Sequence, residues 1–223
     1  MPTSATILET LSSLARDLVW LAVIWHGLVL AAVVLVIRGL RLSSRAAIVW
    51  LTLPSLSVSV AAFAYGLLFN GIAFGLLGLA FAALGLAHER PPLRPGPTWA
   101  RVLGAALLAF GWAYPHFDVG PWHRTLYAAP LGVLPCPTLA VLAAAALFAD
   151  GLHSRAACSL LGAWCAFYAA FGVFRLGVVI DLGLVLGAVG LVVIAARRRP
   201  RSDARREQNG PAARFWAGLF GPA

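Results

Sequence analysis

LVWLAVIWHGLVLAAVVLVI, residues 18–37, runs for twenty positions without a charge. A helix needs about 20 predominantly apolar residues to cross the hydrocarbon core of a bilayer. This run meets that length and closes on Arg38, Arg41 and Arg45. Similar runs follow at 46–69, with Pro54 as a kink, and at 72–87, after an Asn70-Gly71 pair that reads as a tight turn. A fourth run occupies 99–114 and a fifth 131–149, which ends at Asp150-Gly151. Residues 156–196 are long enough for two more spans, with a turn near Phe174-Arg175-Leu176-Gly177. The reading is an all-α integral membrane bundle of seven transmembrane helices, or six if the fifth run only dips into the bilayer.

Composition agrees. Of 223 residues 61% are hydrophobic and 11% charged, where a globular domain carries about 25% charged, and the mean hydropathy is +0.87. A soluble chain of this composition could not cover its surface. A secreted disulfide scaffold, a nucleic-acid-binding domain and a soluble enzyme are thereby excluded. All 17 basic residues are Arg. With no Lys there is no retinal Schiff base and no Lys-based covalent catalysis. The Arg, Ala and Gly bias fits a high-GC genome.

The formal charge of +9 is an orientation signal. Alternating loops place 14 arginines on one side, counting Arg38, Arg41, Arg45, Arg90, Arg94, Arg101, Arg155 and seven in the tail. Only Arg16, Arg124 and Arg175 fall on the other. The positive-inside rule then gives N-out/C-in in a bacterial inner membrane. The first apolar run is too long for a secretory signal and lacks a preceding basic stretch. Residues 5–17 carry Ile7, Leu8, Leu11 and Leu14 on one stripe, which fits a short interfacial helix or an extension of the first span. The chain divides into a transmembrane domain, 1–196, and a basic cytoplasmic tail, 197–223. In the tail Arg197, Arg198 and Arg199 face anionic lipid. Phe215, Trp216 and Phe220 anchor an interfacial helix or dock a partner. No internal repeat supports an inverted-repeat transporter.

Polar groups inside spans need a reason. His26 lies mid-span, where a neutral ring can bond across to another helix or serve as a ligand-binding or gating residue. Arg175 and Asp181 bracket the start of the last span, as a cap and ion pair or as the wall of an outward cavity. The richest stretch is 114–138, YPHFDVGPWHRTLYAAPLGVLPCPT, with His116, Asp118 and His123. It ends in Pro135-Cys136-Pro137-Thr138, where two prolines should unwind the helix and expose the sulfur. Cys136 with His116 and His123 suits a soft or borderline divalent metal, or the thiol does exchange chemistry. Alternatively Cys136 is an apolar filler at a helix entry. Cys158 and Cys165, seven residues apart, read as buried structural thiols.

His123 through Gly132-Val133-Leu134-Pro135-Cys136-Pro137-Thr138 resembles the signature of an uncharacterised family of bacterial multi-pass inner-membrane proteins, a domain of unknown function. That family pairs a His with a Gly nine residues on and a Pro-Cys-Pro-Thr at a helix mouth. Asn70 and Asp181 are similar to an Asn before its third helix and an Asp opening its last. The likeness spans most of residues 5–195. Trp122, Thr125-Leu126 and the basic tail depart from it. The resemblance implies a fold and no activity. Gly132–Pro137 is more weakly similar to nickel/cobalt-efflux-type transporters, and a Cys beside Pro early in a helix to cytochrome-biogenesis thiol carriers.

The function expected is a small transporter-like or channel-like protein with an outward-facing polar pocket of His116, Asp118, His123, Cys136, Arg175 and Asp181. The alternatives are a non-catalytic accessory subunit of a larger membrane complex, supported by its small-residue packing faces, and a membrane thiol redox protein. Its partners would be the bilayer and its anionic lipids, a membrane-complex partner or a second copy, and no nucleic acid.

Overall fold

The uncharged runs become helices because a backbone surrounded by lipid must satisfy its own hydrogen bonds. The computed structural model describes residues 3–38, 43–87, 92–115 and 122–197. The helices are α1 (Ser4–Asp17), α2 (Val19–Ile37), α3 (Ser44–Ala64), α4 (Leu68–Ala87), α5 (Thr98–Trp112), the single turn α6 (Thr125–Ala128), α7 (Pro135–Phe148), α8 (Arg155–Ala170) and α9 (Gly183–Arg197). Among the described residues there is no strand, only an isolated bridge between Ser43 and Pro92. Among the described residues five helices are long and apolar enough to cross a membrane: α2, α3, α4, α8 extended to Leu176, and α9 with its lead-in from Val179. The shorter α7 spans about 21 Å at 1.5 Å per residue.

Helix α7 is short but enclosed. Eleven of its fourteen residues are buried, and α5, α8, α9 and α3 all pack on it. Small residues permit the approach. A methyl at Gly111 of α5 would stand 2.7 Å from the Pro137 carbonyl oxygen, and one at Gly187 of α9 3.4 Å from Ala143 Cβ. The α3–α4 hairpin closes in the same way: a Cβ at Gly71, Gly78 or Gly85 would meet Phe63, Leu56 or Val49 within 2.8 Å.

That hairpin corrects one sequence expectation. The turn lies at Tyr65–Leu67, where Gly66 takes φ +71°, and not at Asn70-Gly71, which is already in the first turn of α4. Gly71 is needed there for the Phe63 ring, and its carbonyl accepts from Ser59 Oγ at 2.6 Å.

Contacts between connections define the two ends of the bundle. At one end α1 packs on the bundle, with Leu11, Leu14 and Ala15 against Val133, Leu134 and Leu176. Ser4 Oγ donates to the Arg175 carbonyl at 2.7 Å. Tyr65 Oη donates to Asp17 Oδ2 at 2.8 Å, and that bond pushes the Tyr65 phenol above its ordinary value. At the other end Gly96 N donates to the Phe148 carbonyl at 2.7 Å, Arg94 N to His153 Nε2 at 3.2 Å, and the Arg197 guanidinium sits 5.3 Å from the centre of the Trp99 ring.

The Gly-x-x-Pro-Cys-Pro-Thr stretch is the joint between α2, α3 and α7. Gly132 has φ +71°, and the Trp25 indole lies where its Cβ would be. Trp25 Nε1 donates to Ser57 Oγ at 2.9 Å, and Ser57 Oγ donates to the Gly132 carbonyl at 2.6 Å. Gly132 N donates to Thr138 Oγ1 at 2.9 Å, whose hydroxyl donates to the Leu134 carbonyl at 2.7 Å.

The prolines do not unwind this helix. Pro135 and Pro137 stand in the first turn of α7, where peptide N–H groups have no intrahelical partner and a missing donor costs little. The unwinding expected around Cys136 is therefore absent. The irregular backbone lies opposite, where α8 widens into a π-helical segment at Phe171–Leu176, then turns at left-handed Gly177.

Two glycines with nearly equal φ separate strain from packing. Gly177 has φ +73° with open space around it, whereas Gly132 has φ +71° under the Trp25 ring. Gly177→Ala should cost about 1–2 kcal/mol, the strain of a left-handed alanine. Gly132→Ala should cost roughly 2 kcal/mol more, because the indole must also move. Thermal unfolding of the two variants in detergent measures the gap.

Candidate functional site

Asp181 is 2% exposed. It sits in the 3-10 turn Val179–Leu182 that leads into α9. A carboxyl group in an apolar bundle is costly unless the protein supplies donors. Here Tyr114, just past the end of α5, donates its hydroxyl to Asp181 Oδ1 at 2.6 Å. The Cys136 thiol, in the first turn of α7, donates to Oδ2 at 3.3 Å. Three segments far apart in sequence thus meet on one carboxyl.

The π segment makes this fit. Gly172 faces Asp181 so closely that a Cβ there would collide with Oδ2. Widening α8 by a residue per turn is a recurrent device at functional sites. Here it brings the bare Gly172 backbone over the carboxyl, while the Val178 N–H returns to the Gly172 carbonyl at 2.8 Å.

A cavity opens beside the carboxyl. Its walls include Asn70, Tyr114, Cys136, Tyr168 and Asp181, with Leu11 of α1 and Gly172 among the remainder. The space open to the centres of water-sized spheres is about 30 Å³, against roughly 10–15 Å³ for one water. That space suits a small ion or a pair of waters. On the far wall Tyr168 Oη donates to Asn70 Oδ1 at 3.0 Å, which orients both side chains. Five polar side chains from α4, the end of α5, α7, α8 and the approach to α9 therefore converge.

Of the residues singled out in the sequence, Cys136 and Asp181 are brought together. His26 serves elsewhere: its Nδ1 lies 2.8 Å from the Ala22 carbonyl oxygen and its Nε2 3.0 Å from that of Trp112, with the Trp112 ring edge-on at 4.6 Å. It ties α2 to the end of α5. Arg175 is exposed and its guanidinium reaches Ser4 Oγ at 3.4 Å, so it fastens α1. His123 is exposed on the 3-10 turn Trp122–Arg124. His116 and Asp118 lie outside the described residues, as do Arg198, Arg199, Phe215, Trp216 and Phe220. Among the described residues no group of three or more His, Cys, Asp or Glu side chains could hold a metal ion. Cys158 and Cys165 are buried, and the Cys158 thiol donates to the Gly151 carbonyl at 3.4 Å.

Four site residues escaped the sequence reading: Asn70, which read as a turn, Tyr114, which stood in the 114–138 stretch without a role, and Tyr168 and Gly172, which read as ordinary span. The available signal was spacing, since Cys165, Tyr168 and Gly172 follow one another at i, i+3 and i+7 along one face of α8.

The hydrogen bonds predict an order of damage. Tyr114→Phe strips a donor from a buried carboxyl and should cost about 1–3 kcal/mol. Tyr168→Phe removes a bond between neutral groups and should cost nearer 1 kcal/mol. Gly172→Ala drives a methyl into Asp181 and should be worst of the three. Thermal unfolding in detergent ranks them. Comparison with family models, with curated proteins and with solved structures returns no match for this chain, so the roles of these side chains rest on their geometry.

Proposed function

We propose that the chain is a small transporter-like or channel-like protein of a bacterial inner membrane, with seven spans, its N-terminus outside and its C-terminus in the cytoplasm. It takes a small ion or solute into the pocket around Pro135-Cys136-Pro137. The observation that carries this reading is the convergence of Asn70, Tyr114, Cys136, Tyr168 and Asp181 on one small cavity inside an apolar bundle. Polar groups in a membrane interior are expensive, and a polar cavity is where such a protein handles a substrate.

The arginines support the orientation. The end that holds Ser43, Pro92 and His153 also carries Arg38, Arg45, Arg94, Arg155 and Arg197, and the end with α1 carries Arg16, Arg124 and Arg175. The pocket lies toward the latter, because Leu11 of α1 is in its wall. On this reading α5 and α7 complete the seven spans beside the five long helices. The tail supplies lipid contacts on the cytoplasmic side.

A second reading, as an accessory subunit, has one observation in its favour. Only Ala22, Trp25 and His26 of α2 are buried, and Leu28, Leu30 and Val34 to Ile37 are exposed, a face that lipid or a partner subunit would cover.

Cys158 and Cys165 are buried, so Cys136 is the thiol within reach of the cavity. In right-side-out membrane vesicles a membrane-impermeant maleimide should label Cys136 and spare the other two. Labelling only from inverted vesicles would reverse the orientation, and labelling from neither side would remove the pocket. C-terminal fusions should give an active green fluorescent protein and an inactive alkaline phosphatase. A stoichiometric partner co-purifying in mild detergent would favour the accessory reading.

A further inference from the structure

We propose that Cys136 and Asp181 form the two-residue edge of a transient site for one soft or borderline divalent metal ion, with water or a neighbouring oxygen of the cavity completing its coordination. The proposal rests on the reading of this cavity as a substrate pocket and names the class of substrate.

The span between the donors comes first. Zinc binds thiolate sulfur at about 2.3 Å and carboxylate oxygen at about 2.0 Å with tetrahedral angles, which sets the two donor atoms about 3.5 Å apart. Cys136 Sγ and Asp181 Oδ2 stand 3.3 Å apart. A metal would replace the thiol proton from a position beside the sulfur–oxygen line, and the two donors would need to shift by only a few tenths of an ångström.

Charge comes second. A dication in an apolar bundle is tolerable where anionic ligands match it. Thiolate and carboxylate together carry the charge of one divalent ion. As the sulfur–metal bond forms, the thiol gives its proton to a cavity water and so to bulk solvent. No electron is transferred.

Room and further donors come third. The cavity accepts water-sized occupants, and Tyr114 Oη already touches the same carboxyl at 2.6 Å. Asn70 lines the opposite wall, its Oδ1 accepting from Tyr168. Oxygen donors and water suit the positions that sulfur leaves open. A site with only two anionic protein ligands holds its ion loosely, as passage requires.

Cadmium alone is the probe, because a thiolate–cadmium bond gives an ultraviolet charge-transfer band. Purified full-length protein in lipid nanodiscs should titrate to one ion per chain. Cys136→Ser should abolish the band and Cys158→Ser should leave it. Asp181→Asn should weaken binding by at least about tenfold, since even outer-shell partners of a metal typically cost 10–100-fold. If a cysteine variant does not fold, protection serves instead: in wild-type protein cadmium should shield Cys136 from maleimide, read by mass spectrometry. That shielding should fail in Asp181→Asn.

A band that survives Cys136→Ser, cadmium binding indifferent to Asp181→Asn, or no binding at all would overturn the site. Maleimide access to Cys136 from the outer face, without cadmium binding, would leave the pocket standing and sink only the metal. Cadmium binding without access from either face would do the reverse.

Discussion

A carboxyl group inside an apolar helix bundle must be met by the protein, and at Asp181 the donors come from two other segments. Tyr114 closes α5 and Cys136 opens α7, so the carboxyl fixes the relative height of three elements at one end of the molecule. Gly172 is forced by the same group, because no side chain fits between the α8 backbone and Asp181 Oδ2. The π segment, the left-handed turn at Gly177 and the 3-10 start of α9 all follow as the path the chain takes around a carboxyl it cannot bury without partners.

Helix α7 gives those contacts a rigid base. It is enclosed by neighbours whose small residues let their backbones come close, and its first turn carries two prolines where their missing N–H groups cost little. The Pro-Cys-Pro sequence thus reads as a helix start that leaves one thiol between two rings. The Gly132 joint in front of it determines where that start lies.

The apolar runs were legible because lipid imposes a length and forbids charge, and both constraints are written in one dimension. The break at Phe174–Gly177 was legible for the same reason, since a 41-residue run cannot cross once. The α3–α4 turn was misplaced by four residues, because Asn-Gly is a common turn pair and nothing local reveals that Gly71 is reserved for the Phe63 ring. Cys136 and Asp181 stood out as polar atoms in apolar surroundings. Asn70, Tyr168 and Gly172 did not, because their significance lies in what faces them across the bundle. The proline effect was misjudged for a related reason: it reverses between the first turn of a helix and its interior, and only the position of the helix start decides which applies.

The joint at Gly132 also bears on how the chain assembles. Helices α2 and α3 leave the ribosome long before the loop that secures them. Ser57 must wait for a carbonyl 75 residues downstream, and His26 for one 86 residues downstream. Until then a serine hydroxyl in lipid can return to its own helix backbone, but the imidazole nitrogen destined for Trp112 lacks its final acceptor. The first span is therefore inserted early and seated late, and its lateral position stays provisional during synthesis until α5 and α7 arrive.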